Sequence, residues 1–452
     1  MTAEDLATRL ALRLGDVWGD DVEVSEPRRL SAGTRRETWS FEATTPGAEP
    51  VRLVLRRDRP GWPSPETTAR EVAVLPAARR QGVPAPELVD HGVAGDRVTD
   101  DGDLTGLGAP YLISRHVDGE TMPRRLLCDD DYARARAGLA GELGRVLARI
   151  HRIPDGEVPG LAAPDPLERL TERCDALDEP LPAVEVALRW LHRHRPAATG
   201  DTPVHGDLRT GNLVVGPEGL RAVLHWERVH RGDPMEDLGR LCVKAWRFGA
   251  PDPVGGFGSR AQLLDGYAEV AGFRPDEHTV HWWEVYGTAE LAVGCGMRAR
   301  RHLSGRSRSV ELAVAGRRVC EQEHDLLLAL GAEPAEPDPV TVPDEAPELH
   351  GRPTASELLE AVREYLGADG EDDAGEASHA LGMVQRELAV GAAQQQRHDR
   401  RLAALGVGDS RALAAALRRG DVDTGDEAVL EAVRRDVADR LAVANPRYRD
   451  QP

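Results

Sequence analysis

At 452 residues with 40% hydrophobic composition, the chain holds enough apolar material for two or three domains, which excludes a mini-domain. Its 57 basic against 77 acidic residues leave a formal net charge of −20, which argues against general nucleic-acid binding. Lys244 is the only lysine, so nearly every positive charge is a permanently protonated guanidinium.

In chain order, residues 1–16 show helical periodicity with acids inside it and no basic n-region, unlike a secretory leader. Two β-like runs follow, Arg36 to Ala43 and Val51 to Arg56, and the Pro/Gly-containing stretch 45–50 between them marks a hairpin. Glu66, Arg70, Glu71, Val74 and Leu75 fit a helix over 65–80, with Pro76 expected to bend or shorten it. Tyr111 to Ser114 reads as a further strand, and Tyr132 to Ile153 as a long amphipathic helix. A second hairpin, 212–215 with 220–224, interrupts the helical part before helices resume near Met235.

Residues 332–349 are rich in Pro and acids, as in a stiffened linker. Beyond them, helical runs at 354–366, 377–395, 410–418 and 428–442 suggest a small bundle, its first helix opened by a Thr354–Glu357 capping box. No window approaches the roughly 18 apolar residues of a membrane helix. The five cysteines are odd in number and without a CxxC pair, so buried thiols in a reducing cytoplasm are expected.

The strongest chemical signal is Val204-His-Gly-Asp-Leu-Arg-Thr-Gly-Asn-Leu-Val-Val215, followed by the second hairpin, by Leu224-His-Trp-Glu227 and by Gly232-Asp-Pro-Met-Glu-Asp-Leu238. This stretch resembles the catalytic segment of the aminoglycoside phosphotransferase family, small-molecule kinases with a protein-kinase-like fold, and the resemblance spans roughly residues 20–330. It implies an α+β, bilobal architecture: a β-rich N-lobe over 1–118, a mainly helical C-lobe over 119–331, the linker, and an all-α domain over 350–452. In such chemistry a carboxylate accepts the proton of the attacking hydroxyl, and an amide five residues on coordinates a metal that bridges the phosphates.

By that resemblance Asp207 is the base, His205 braces the loop and Asp237 orients it from the next helix. Asn212, with positions His225 and Glu227, falls where metal is held. Ser31, Gly33 and Thr34 fall in the phosphate-covering loop, Arg56 stands where the family has its phosphate-contacting lysine, and Glu71 is its expected ion-pair partner. Backbone groups from Ile113 to Arg115 fall at the strand that reads the adenine edge. ATP with Mg²⁺ or Mn²⁺ is the implied cofactor set, and a nucleotide and a small hydroxylated substrate are the implied partners, with no nucleic acid or membrane and self-association left open.

One departure stands out: where the family has a metal-binding aspartate, this chain has His225. Imidazole suits softer metals better than Mg²⁺, which prefers oxygen. The expected function is ATP-dependent phosphoryl transfer to a hydroxyl of an aminoglycoside-like alcohol or hydroxyacyl thioester. The alternative is a catalytically impaired, nucleotide- or metabolite-binding regulatory protein. A zinc site from His205, His225, His230 and Asp233 fits no familiar ligand spacing. The stretch 303–326 is similar to a subgroup of acyl-CoA-dehydrogenase-associated kinases, and the tail resembles a helical domain of unknown function often fused to such chains.

Overall fold

The structure, a computed structural model, describes residues 2–31, 36–59, 63–93, 106–177, 179–337, 339, 355–368 and 372–452. It divides into two compact units, the first made of residues 1–163, 198–242 and 246–280, the second of 164–197, 243–245 and 281–452.

The first unit opens with α1 (Ala3–Trp18), started by a reciprocal capping box between Thr2 and Asp5 and stopped at Gly19, whose φ of 71° lies in the left-handed region. Strands β1 (Glu23–Val24), β2 (Arg28–Ser31), β3 (Arg36–Thr44) and β4 (Val51–Asp58) follow, then α2 (Pro65–Arg80), β5 (Leu88–Gly92) and β6 (Tyr111–Arg115). The strands form one antiparallel sheet in the order β1-β3-β4-β6-β5, with β2 on β3. Leu6, Leu10 and Leu14 recur at helical spacing along α1 and join Phe41, Leu53, Leu55 and Ile113 in one core. The expected hairpin is β3–β4. Pro76 neither stops nor shortens α2, which runs its full 16 residues.

After β6 come α3 (Pro123–Cys128), α4 (Ala133–Ile150), α5 (Pro166–Asp175) and α6 (Pro182–Arg193), of which the last two belong to the second unit. Strand β7 (Thr202–Val204) pairs with β10 (His230–Gly232), enclosing the hairpin β8 (Leu213–Gly216) and β9 (Gly219–Val223). Helices α7 (Met235–Cys242) and α8 (Arg260–Ala271) complete the unit. α4 and α8 cross with backbones nearly touching: a Cβ on Gly144 would sit 2.2 Å from the Leu263 carbonyl oxygen, and one on Gly266 would sit 2.1 Å from that of Gly141.

The second unit holds α5, α6, most of α9 (Glu277–Leu303), α10 (Val310–Arg317), α11 (Val319–Ala329), α12 (Ala355–Ala368), α13 (Asp372–Ala404), α14 (Ser410–Arg419) and α15 (Glu427–Ala444). Ala183 and Val186 of α6 and Leu327 of α11 share a core with Leu402, Leu413, Leu417, Val429, Val433 and Val437. The last three helical runs read from sequence are α13, α14 and α15; Thr354 lies outside the described residues.

All five cysteines are free, but the expectation of buried thiols fails at Cys128, which is exposed, and at half-buried Cys174. Cys128 ends a six-residue helix in which only Leu126 is buried. Among the described residues no helix is long and apolar enough to cross a membrane.

Candidate active site

β7 ends at Val204, and the chain then turns sharply at Gly206, whose φ is 75°. A Cβ there would lie 2.7 Å from the Arg228 carbonyl oxygen, so this glycine is required both by conformation and by space. The turn is held from α7: Asp237 Oδ2 accepts the His205 backbone N–H at 2.8 Å and Oδ1 accepts that of Gly206 at 2.8 Å. His205 is fully buried; its Nδ1 accepts the Asp207 N–H at 3.2 Å, which leaves Nε2–H to donate to the Leu224 carbonyl at 3.0 Å. Burial lowers the His205 pKa and keeps the ring neutral, so it acts as a spacer between the loop and β9.

Asp237 has its own support. His151, just past α4, bonds Asp237 Oδ2 at 3.1 Å, and its other ring nitrogen meets the Tyr267 hydroxyl of α8 at 3.0 Å. The glycine crossing of α4 and α8 is what brings His151 and Tyr267 together. Burial alone would raise the Asp237 carboxyl, but the His151 bond and the two backbone N–H donors bring it below its ordinary range.

Asp207 itself sits among guanidinium groups. Arg240 Nη2 donates to Oδ1 at 2.7 Å, Arg209 Nε lies 3.6 Å from Oδ2 and Arg228 Nη1 lies 4.0 Å from Oδ1. Burial would raise this carboxyl, yet Arg240, Arg209 and Arg228 hold it at about 2. Asn212 Nδ2 bridges the Asp207 carbonyl at 2.7 Å and its Oδ2 at 3.0 Å, tying the two ends of the loop. The Arg209 guanidinium lies 4.6 Å from the Trp246 ring centroid, a cation–π contact that fixes that side of the loop.

The β8–β9 hairpin brings position 225 beside Asn212, with the Leu224 N–H donating to the Asn212 carbonyl at 2.9 Å. His225 adopts a left-handed backbone (φ 67°) and its Nδ1 is 3.0 Å from Glu227 Oε1. That oxygen also accepts from Arg56 Nη2 at 2.8 Å, while Arg56 Nη1 is 3.3 Å from Glu71 Oε2. The expected Arg56–Glu71 pair is therefore present but shared: Glu71 has a nearer partner in Arg36 at 2.7 Å, which also grips Asp58 and Thr68. Arg36 and Asp58 are direct cross-strand neighbours in the β3–β4 register. Burial pushes the Glu71 carboxyl up against the pull of Arg56, and the Glu227 charge adds to the rise. Burial acts the same way on Glu227, but Arg56 and His225 hold it well below the usual carboxylate range.

Three oxygens here have no protein donor: Glu71 Oε1, Asn212 Oδ1 and Glu227 Oε2 are buried and accept no hydrogen bond. Orphaned hard oxygens on Asn212 and Glu227 fit a divalent cation, and the His225 imidazole lies beside Glu227. No group of three or more His, Cys, Asp or Glu side chains among the described residues has metal-binding geometry, so the zinc reading of His205, His225, His230 and Asp233 finds no support.

The other sequence candidates scatter more. Ser31 ends β2, paired with Thr38, while Gly33 and Thr34 lie outside the described residues. Ile113 is a fully buried core residue in β6, between β4 and the edge strand β5. The Arg115 N–H is already given to the Glu87 carbonyl at 2.8 Å and that of His116 to Arg52 at 3.0 Å, so neither amide is open to a base edge. Sequence reasoning missed Arg36, His151, Arg209, Arg228, Arg240 and Tyr267. The only signals for them were the one-turn Asp237/Arg240 spacing and the Gly141/Gly144 pair in α4.

Comparison with known proteins adds a lineage. Residues 26–273 match the phosphotransferase enzyme family, and residues 376–448 match the domain of unknown function DUF6285. The mouse (Mus musculus) acyl-CoA dehydrogenase family member 10 is 29% identical over 204 residues, 42% of this chain but 18% of that protein, so the chain spans less than a fifth of this curated relative. A crystal structure of a candidate aminoglycoside phosphotransferase from Ralstonia eutropha JMP134 superposes with a TM-score of 0.55 at 22% identity, covering 72% of this chain and 98% of that one. The macrolide 2′-phosphotransferase of Brachybacterium faecium aligns at 20% identity and a TM-score of 0.44, covering 69% and 97%. The first of these likenesses shows a shared kinase-like fold.

Proposed function

The chain belongs to the phosphotransferase enzyme family, and on that premise we propose that it transfers the γ-phosphate of ATP to a hydroxyl of a small molecule. The observation that carries this reading is the loop geometry. Asp207 is ionised, joined to Asn212 within one loop, and that loop is fixed at its backbone by Asp237.

Asp207 accepts the proton of the attacking hydroxyl as the phosphoryl group is transferred. The low basicity that its arginines impose suits a loose transition state, in which the proton leaves late. Asn212 and Glu227, with position 225, would hold Mg²⁺ or Mn²⁺; when bound, the cation neutralises charge on the phosphates. Arg56, bridging Glu71 and Glu227, is the cation best set to meet the α- and β-phosphates. Three guanidinium groups within 4.0 Å of the base carboxylate favour an acceptor with anionic character, such as a hydroxyacyl thioester on a phosphate-bearing carrier, over a polycationic aminoglycoside.

Calorimetric titration of ATP with Mg²⁺, and separately with Mn²⁺, into the wild type and His225→Asp tests the reading. Metal-dependent binding by the wild type supports a working phosphotransferase. Binding only after His225→Asp would favour a regulatory protein with a decayed metal site, and no binding to either would remove the ATP assignment.

A further inference from the structure

The second unit contains a constellation that phosphoryl transfer does not use. His398 of α13 lies between Ser410, the first residue of α14, and Asp436 of α15. Its Nδ1 is 2.8 Å from Asp436 Oδ2 and its Nε2 is 2.9 Å from Ser410 Oγ. With the Asp436 carboxylate able only to accept, Nδ1 carries the proton and Nε2 is left to accept from the serine hydroxyl. That is the hydrogen-bond order of a nucleophile, its general base and the carboxylate that orients the base.

Two further features separate this arrangement from a helix-to-helix stitch. Asp436 is held from its other oxygen by Arg401 Nε at 2.8 Å, so its direction toward His398 is fixed. Ser410 and His398 are only half-buried, and with Asp436 they line a single cavity of about 280 Å³ together with Pro180, Pro182 and Arg440. A stitch would be sealed.

We propose that Ser410, His398 and Asp436, all inside the segment that matches the domain of unknown function, form a hydrolytic site for short-chain acyl esters or thioesters. Ser410 Oγ attacks the acyl carbon while His398 Nε2 takes its proton. The C–O or C–S bond breaks, and His398 returns the proton to the departing oxygen or sulfur. Water then attacks the acyl-serine by the same route, releasing the carboxylic acid and restoring Ser410, so no other reactant is consumed. At about 280 Å³ the cavity sits at the small end of the range of about 300–1,000 Å³ usual for ligand pockets, in keeping with a short acyl group.

The test uses the full-length chain with a fluorophosphonate probe and with 4-nitrophenyl acetate. The expected result is a phosphonyl adduct mapped by peptide mass spectrometry to Ser410 of the wild type, absent from Ser410→Ala and His398→Gln. Ester hydrolysis should fall about 10³-fold in either variant and less in Asp436→Asn. The adduct on the wild type needs no variant to fold, and circular dichroism checks those that are made. An unlabelled Ser410 under conditions that label an authentic serine hydrolase, or undiminished hydrolysis by a folded Ser410→Ala, overturns the proposal.

Discussion

Asp237 and Arg240, one turn apart on α7, grip the same loop in two ways: the carboxylate takes the backbone N–H groups of His205 and Gly206, and the guanidinium takes the Asp207 side chain at 2.7 Å. One short helix thus sets both the path of the loop and the protonation of its carboxylate. The i, i+3 spacing puts both side chains on one helix face.

Arg240→Gln should therefore change how Asp207 titrates. Removing an adjacent cation raises a carboxylate pKa by about 1–3 units, so the acidic limb of kcat/KM should move to higher pH by that order. A pH–rate profile of wild type and variant checks this. An unmoved limb would show that Arg209 and Arg228 suffice.

Asp237→Asn keeps the shape but loses the charge that His151 and two backbone donors share. The expected cost is about 2–4 kcal/mol of stability, read from urea unfolding midpoints at constant m-value. Activity should fall as well, because the loop loses its anchor.

The α4–α8 crossing gives a paired prediction within one helix. Gly144→Ala places a Cβ against the Leu263 carbonyl and should cost about 1–3 kcal/mol. Gly138→Ala, exposed and with nothing within 4 Å of the new Cβ, should stabilise the chain by up to about 1 kcal/mol. Thermal unfolding of the two variants should shift in opposite directions.

Asp207 also links stability to pH. Its folded value of about 2 lies below the ordinary 3.8, so its ionised form contributes stability above the unfolded value and loses it as pH falls through the folded one. The contribution is about 2 kcal/mol. The stability difference between wild type and Asp207→Asn should be flat from neutral pH to about pH 5 and shrink below about pH 4. Urea titrations across that range measure it, and a difference that does not shrink would place the arginine pairing elsewhere.

The sequence by itself determined the Asp207 loop and the long elements. Asp207 and Asn212 were legible because they share one loop five residues apart, α1 and α4 because their apolar residues keep helical period over four or more turns, and α2 because Glu66, Arg70, Glu71, Val74 and Leu75 share that period. Strands β1, β2, β5, β7 and β10 were not: β1, β7 and β10 have two or three residues, too few for an alternating pattern to register, while β2 has Leu30 as its one apolar residue and β5 only the adjacent Leu88 and Val89. The Arg56–Glu71 pair was legible as chemistry, but its competition with Arg36 and Glu227 was not, because those partners come from a neighbouring strand and from a loop far along the chain.

Only the tertiary structure decided which charges face Asp207, what holds Asp237, and that Ser410, His398 and Asp436 meet. Each depends on side chains from separate elements converging within hydrogen-bond distance. Such convergence is set by how helices pack: the Gly144–Gly266 approach in one unit, and the shared apolar core under α13, α14 and α15 in the other. Local spacing encodes the period of a helix, but the distance between two helices is fixed only when their surfaces exclude water together.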